Sequence, residues 1–297
     1  IMRFQKTIKN NWQKKYNNKN KVEQLIIRSN LLGQDLKITN FGGGNTSSKI
    51  ISKDPINKKN QTVLYVKGSG GDLGSIKKEG FASLYMEKLE SLKNVYRGFN
   101  YEDEIVGYYP MCTFNNNPRA ASIDTPLHAY VPFPEVDHTH PDSIIALATM
   151  KNGKEIIKKV YNNKIGWLDW QRPGFDLGLK MEKLIKKNKD IIGIVLGHHG
   201  LFTWGDTSEE CYKNSIDIIK KAQVYLNNSI KKYSFGKPIF KKKTHPEFEK
   251  KLISIIRGNL SFDNSKILHL DKSEICLEFV NSENLKKVAS IGTSCPD

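Results

Sequence analysis

No stretch of this 297-residue sequence approaches the roughly 20 consecutive apolar residues that a membrane-spanning helix needs. The N-terminus, Ile1-Met2-Arg3-Phe4-Gln5-Lys6, is basic but lacks the apolar core of a signal peptide. These two absences predict a soluble, cytoplasmic protein with no membrane partner. Cysteine is scarce. Cys112, Cys211, Cys276 and Cys295 stand far apart, which excludes a disulfide scaffold and a Cys-x-x-Cys metal site and leaves reduced thiols. Nucleotide signatures are missing as well. Gly68 and Gly70 are followed by Leu73 where the third glycine of a dinucleotide fingerprint belongs, and no Gly-Lys-Ser/Thr follows Gly42-Gly43-Gly44. Tyr233-x-x-x-Lys237 has the spacing of a short-chain dehydrogenase, but Gly236 and Pro238 forbid the helix that motif requires.

Acidic residues are the minority, 31 against 47 lysines and arginines, for a formal net charge of +16. Such an excess raises nucleic acid as a partner. The lysines are scattered among asparagine and isoleucine, residues with A/T-rich codons, and no nucleic-acid-binding motif accompanies them. No nucleic-acid partner is therefore expected, whereas a phosphorylated substrate suits the charge. With 38% hydrophobic residues the chain can bury a substantial core.

The sequence divides into a polar, Asn/Lys-rich N-terminal arm over 1–20, a main domain over 21–232, a Gly/Pro/Lys-rich linker over 233–245 and a tail over 246–297. Apolar spacing predicts helices over Val22–Leu32, Phe81–Asn94, Asp124–Val131, Asp142–Met150, Leu177–Ile185, Thr207–Lys231, Glu247–Ile256 and Ser282–Ala289. Strands are predicted at Ile38–Phe41, leading into the first glycine loop, at Thr62–Val66, Val136–His140, Ile165–Trp170, Ile191–Leu196 and Phe202–Trp204, and at Ile267–Leu270 and Ile275–Phe279 in the tail. Both ends look cut, so that the chain reads as a piece of something longer.

The organising stretch is Val136-Asp137-His138-Thr139-His140-Pro141. Alternate side chains of a strand share a face, so His138 and His140 can converge on one point. Imidazole is the commonest biological metal ligand, and two do not hold a zinc ion. A second pair, His198-His199, follows the apolar run Ile191–Leu196 and so stands at another strand end. Only one of these neighbours can face the metal, and spacing leaves open which.

Two glycine loops, Gly42-Gly43-Gly44-Asn45-Thr46-Ser47 and Lys67-Gly68-Ser69-Gly70, can turn backbone N–H groups towards an anion, with hydroxyls, Asn45 and Lys67 adding donors. Each taken singly also reads as an ordinary turn. In Ser122-Ile123-Asp124-Thr125-Pro126-Leu127-His128, Asp124 fits a helix cap and His128 a core position, and equally Asp124 fits a base beside a metal-bound substrate.

Together these stretches resemble the class II aldolase/adducin family, most of all the aldolase portion of bifunctional rhamnulose-1-phosphate aldolase/alcohol dehydrogenase proteins. The carriers are Gly42–Ser48, Val66–Gly70, Ser122–Asp124, Val136–Asp142, Arg172–Phe175 and His199–Gly205, with Ile291–Asp297 resembling the bridge to a dehydrogenase half. The resemblance implies a three-layer α/β/α sandwich around a mostly antiparallel sheet, Zn2+ held by three histidines, and a homo-oligomer, often a tetramer. It selects His199 over His198, because the family's third ligand directly precedes a glycine. The metal set becomes His138, His140 and His199, the substrate phosphate falls to Gly44, Asn45, Ser69, Gly70 and Ser122, and the catalytic carboxylate is Asp124. One departure is visible, since the sugar-phosphate aldolases use glutamate where this chain has Asp124, and the related 4-epimerases use aspartate. The implied activity is zinc-dependent cleavage of a ketose 1-phosphate to dihydroxyacetone phosphate and an aldehyde such as lactaldehyde. A sugar-phosphate 4-epimerase and a non-catalytic adducin-like module are the alternatives, and a nicotinamide-dependent activity would need sequence outside residues 1 to 297.

Overall fold

The computed structural model describes residues 7–229, 235–239 and 246–292. Its contacts divide the chain near residue 229 into a larger unit and a smaller one. Strands β1 (Asn45–Lys53), β2 (Asn60–Lys67), β3 (Phe81–Tyr85), β4 (Glu135–Thr139), β5 (Ile165–Leu168), β6 (Gly193–Leu196) and β7 (Gly200–Gly205) form one sheet in the order β3-β2-β1-β4-β7-β6-β5. Every pairing is antiparallel except β5 with β6. The helices of the larger unit are α1 (Lys21–Gly33), α2 (Met86–Ser91), α3 (Glu102–Val106), α4 (Thr125–Ala129), α5 (Asp142–Ala148), α6 (Gly153–Val160), α7 (Phe175–Lys187) and α8 (Ser208–Ser229). This is a mixed α/β fold whose mostly antiparallel sheet is flanked by helices.

Strand alternation assigns the faces of β4. Val136 packs with Phe202 and Trp204 of β7 and with Leu127 of α4 and Leu177 and Met181 of α7, all buried. The opposite face carries Glu135 and Asp137 onto Arg28 of α1, whose side chain is 0% exposed. Arg28 Nε donates to Asp137 at 2.8 Å, and its other nitrogens reach Glu135, Ser208 Oγ at 2.8 Å and the Ser47 carbonyl at 2.6 Å. A guanidinium can be buried this completely because each of its nitrogens meets an acceptor. Ser215 of α8 closes the cluster through Asp137 and Thr203.

Several expected elements differ. Phe81–Tyr85, read as the start of a helix, is an edge strand paired with β2, and the helix begins only at Met86. Leu84, Tyr85, Leu89 and Leu92 fit a helical stripe, and pairing with β2 overrides it. The first glycine loop precedes its strand instead of following one, because Gly42 and Gly44 take positive φ and pairing with β4 starts at Asn45. The described part of the N-terminal arm is docked and includes a short 3-10 helix over Lys14–Asn18. Ile8 is buried with its N–H on Gln223 of α8, and Trp12 meets Tyr212.

In the smaller unit the described elements are helices α9 (Pro246–Leu260), α10 (Glu274–Val280) and α11 (Leu285–Ala289). Ile275–Phe279 is therefore helical, not a strand, with Ser273 Oγ accepting from the Cys276 N–H at its start, and Ile267–Leu270 forms no regular element. Most of the 233–245 stretch, Tyr233 included, lies outside the described residues, as do Lys231 and 293–297. Among the described residues no helix is long and apolar enough to cross a membrane.

Candidate metal centre

His138 and His140 leave β4 on the face opposite Asp137, and their Nε2 atoms are 3.0 Å apart. His199 arrives from the three-residue turn Gly197-His198-His199 that joins β6 to β7, and its Nε2 is 3.2 Å from that of His138. All three side chains are buried, whereas His198 is exposed and in the left-handed region at φ 55°. The next residue must be glycine for a steric reason. A Cβ at Gly200 would stand 2.6 Å from the Thr139 carbonyl and 2.9 Å from His140 Cδ2.

The tautomers are set from behind. His138 Nδ1 donates to the Leu201 carbonyl at 3.1 Å, and His140 Nδ1 donates to Asn40 Oδ1 at 3.1 Å. Both Nε2 atoms are thereby left unprotonated, with lone pairs facing the same point. Burial, followed by the neighbouring His140 and His199, holds His138 well below the ordinary histidine pKa. Ligand nitrogens placed tetrahedrally about 2 Å from zinc stand roughly 3.3 Å apart, so the observed spacing fits one cation. Lone pairs this close repel one another, and a divalent ion held between them would convert the repulsion into ligand bonds.

A cavity of about 380 Å³ opens over the three histidines. Gly42, Gly43, Gly44 and Asn45 form one wall, Lys67, Gly68, Ser69 and Gly70 a second, and Ser122, Ile123, Asp124 and Pro173 complete it. Every residue assigned to a site from the sequence therefore reaches this one cavity. Asp124 stands at the N-cap of α4, yet its side chain makes no cap bond and lines the cavity instead. His128 is a core residue, its Nδ1 2.9 Å from Ser47 Oγ.

Gly44 takes φ +71°, and a Cβ there would meet the His138 carbonyl at 2.7 Å. Gly70 and Gly71 are also left-handed, at +71° and +84°. Arg119 braces that second loop from outside, with Nη2 donating to the carbonyls of Ser69 and Gly70. A peptide N–H points opposite to its carbonyl, so the N–H groups of Gly70 and Gly71 face away from Arg119. Lys67 is 4% exposed and donates to the Gly42 carbonyl at 3.3 Å. Burial lowers its proton affinity, and nearby Asp124 offsets part of that.

Residues 24–226 match the family model of the class II aldolase and adducin N-terminal domain. The chain belongs to the class II aldolase/adducin family. Residues 247–297 match a further model, the second domain of class II aldolases. This family member is 38% identical, over 93% of its own length, to the uncharacterized oxidoreductase YuxG of Bacillus subtilis, and spans 40% of that relative's length. Its fold resembles the N-terminal class II aldolase domain of a conserved protein from Thermoplasma acidophilum, with a TM-score of 0.67 and 30% identity over 74% of this chain and 100% of that one.

Sequence reasoning missed Asn40 and Arg119. Asn40 lies 100 residues from its histidine partner, and Arg119 acts on backbone carbonyls, so neither leaves a local pattern. The one signal was proximity, since each stands within a few residues of a cavity-lining motif.

Proposed function

We propose that this class II aldolase/adducin member is a zinc-dependent aldolase that cleaves a ketose 1-phosphate, rhamnulose 1-phosphate or a close analogue, to dihydroxyacetone phosphate and an aldehyde such as lactaldehyde. The observation that carries this reading is the convergence of His138, His140 and His199 in the cavity that Asp124 and both glycine loops line. Three histidines leave coordination open for a substrate oxygen, as catalytic zinc sites do, and the bound ion would supply Lewis-acid polarisation of the ketone.

The protein's own residues do the rest. Gly44, Asn45, Ser69, Gly70 and Ser122 bind the phosphate, with Lys67 adding a positive charge, and so hold the scissile carbons over the histidines. Asp124 exchanges the proton at the donor fragment, acting as base in one direction and acid in the other. The assembly is a homo-oligomer, a tetramer on the family's pattern. Redox chemistry, which the Bacillus subtilis relative's name gives to that protein, is assigned to no residue of this chain, since neither glycine loop has dinucleotide spacing.

Asp124 favours one second reading, a sugar-phosphate 4-epimerase built on the same cavity. A coupled assay separates the two. Zinc-loaded protein is given rhamnulose 1-phosphate, fuculose 1-phosphate and ribulose 5-phosphate, and triose phosphate, epimer and metal content are measured on one sample. Metal-dependent triose release is expected. Epimer without triose would replace the aldolase by the epimerase, and silence from fully metallated protein with all three sugars would remove both.

A further inference from the structure

Asn40 is the residue that joins the first glycine loop to the histidines. Its Oδ1 accepts from His140 Nδ1 at 3.1 Å, and an amide oxygen can only accept. The contact therefore fixes the His140 proton on Nδ1 and bares Nε2 towards His138. The neighbouring Thr39 adds a second hold, its Oγ1 accepting from the His140 backbone N–H at 3.4 Å. From the other side Gly43 closes over the same amide, so that a Cβ built there would lie 2.1 Å from Asn40 Oδ1 and 2.7 Å from its Cγ. Gly43 does not have a positive φ. What a Cβ at 43 would displace is thus the Asn40 side chain beneath it, with backbone conformation playing no part. The amide is wedged between a loop of the cavity wall and a histidine of the metal centre.

We propose that Asn40 is a positioning residue that sets the tautomer and orientation of His140 for metal binding, and that Gly43 is glycine in order to leave it there. The inference rests on the three-histidine metal centre of the reading above. Groups that bond the far nitrogen of a ligand histidine commonly contribute about tenfold to a hundredfold in metal affinity. A carboxylate in the amide's place accepts the same proton and should serve at least as well.

The test uses cobalt(II), whose visible spectrum reports coordination, in competition with a chelator and without substrate. Wild type, Asn40→Ala, Asn40→Asp and Gly43→Ala are compared, with circular dichroism to establish that each is folded. Asn40→Ala is expected to weaken cobalt binding about tenfold to a hundredfold and to change the spectrum, Asn40→Asp to restore both, and Gly43→Ala to mimic Asn40→Ala although residue 43 is no ligand. Wild-type affinity in Asn40→Ala overturns the proposal, and so does equal loss in Asn40→Ala and Asn40→Asp, which would mark simple packing. Wild-type protein that takes up no cobalt overturns the metal centre and this assignment together, whereas normal wild-type uptake with an unaffected Asn40→Ala overturns the assignment alone.

Discussion

Arg28 and Asp137 meet at 2.8 Å on the far side of the strand that carries His138 and His140, and neither side chain has any exposed surface. The pair is structural, because strand alternation turns it away from the cavity. Replacing Arg28 by Met would leave Asp137 as a buried carboxylate without its cation and Glu135 with only the longer contact to Lys21 at 3.9 Å. A loss of about 3–5 kcal/mol is expected, the usual penalty for breaking a buried pair by removing one partner. Urea unfolding monitored by circular dichroism measures it, and a loss under 1 kcal/mol would mean that water or rearrangement already neutralises the two carboxylates.

How much of this could be read from the sequence depended on the range of the interaction. His138 and His140 were legible because a strand repeats every second residue, and Ile191–Leu196 because a short apolar run ending at Gly197 is a buried strand. Phe81–Tyr85 was misread because the pairing that makes it a strand, Leu84 with Leu64 and Tyr85 with Val63, is invisible in its own composition. Ile275–Phe279 was misread because five mostly apolar residues fit either element, and the Ser273 cap that decides it is a weak signal. Asn40 had no periodic pattern to belong to.

The turn that delivers His199 predicts opposite outcomes for two adjacent histidines. His199→Ala should abolish stoichiometric metal retention, while His198→Ala, at an exposed position, should leave it intact. His198→Gly should in addition stabilise the protein by about 0.5–1 kcal/mol, because a left-handed residue at φ 55° pays a steric penalty that glycine does not. Metal analysis after gel filtration and the thermal midpoint check the three variants. Equal metal loss in His198→Ala and His199→Ala would overturn the ligand assignment.

Arg119, which does not itself line the cavity, holds the Ser69 and Gly70 carbonyls of a loop that does. Arg119→Ala should free those peptides to rotate and scatter the N–H groups proposed to hold phosphate. The expected result is a KM for the phosphorylated sugar raised roughly tenfold, with kcat and metal content changed far less, as for loss of binding shared by substrate and transition state. A fall in kcat at constant KM would instead place Arg119 in the chemical step.

His128 gives the stability of the protein a pH dependence that can be isolated by substitution. Its side chain is 0% exposed, and burial, helped by the charges of Lys49, Arg28 and Lys67, pushes its pKa down to about 3. In the unfolded chain the imidazole returns to about 6.5. Below that value the unfolded state binds a proton that the folded state refuses, so the unfolded state gains stability as pH falls. The folded protein is thus penalised progressively from about pH 6.5 downward, and the penalty stops growing only near the folded pKa of about 3. Between pH 7.5 and pH 5 this one group should remove about 2 kcal/mol. His128→Phe keeps the ring between Ser47 and Phe202, gives up the hydrogen bond to Ser47 Oγ, and cannot protonate. The variant should be less stable than wild type at pH 7.5 by roughly the 1 kcal/mol of that bond, yet lose about 2 kcal/mol less on going to pH 5, so that the two stability curves converge or cross. Parallel curves from urea titrations at the two pH values would show that folded His128 takes up its proton over the same pH range as in the unfolded chain, contrary to its burial.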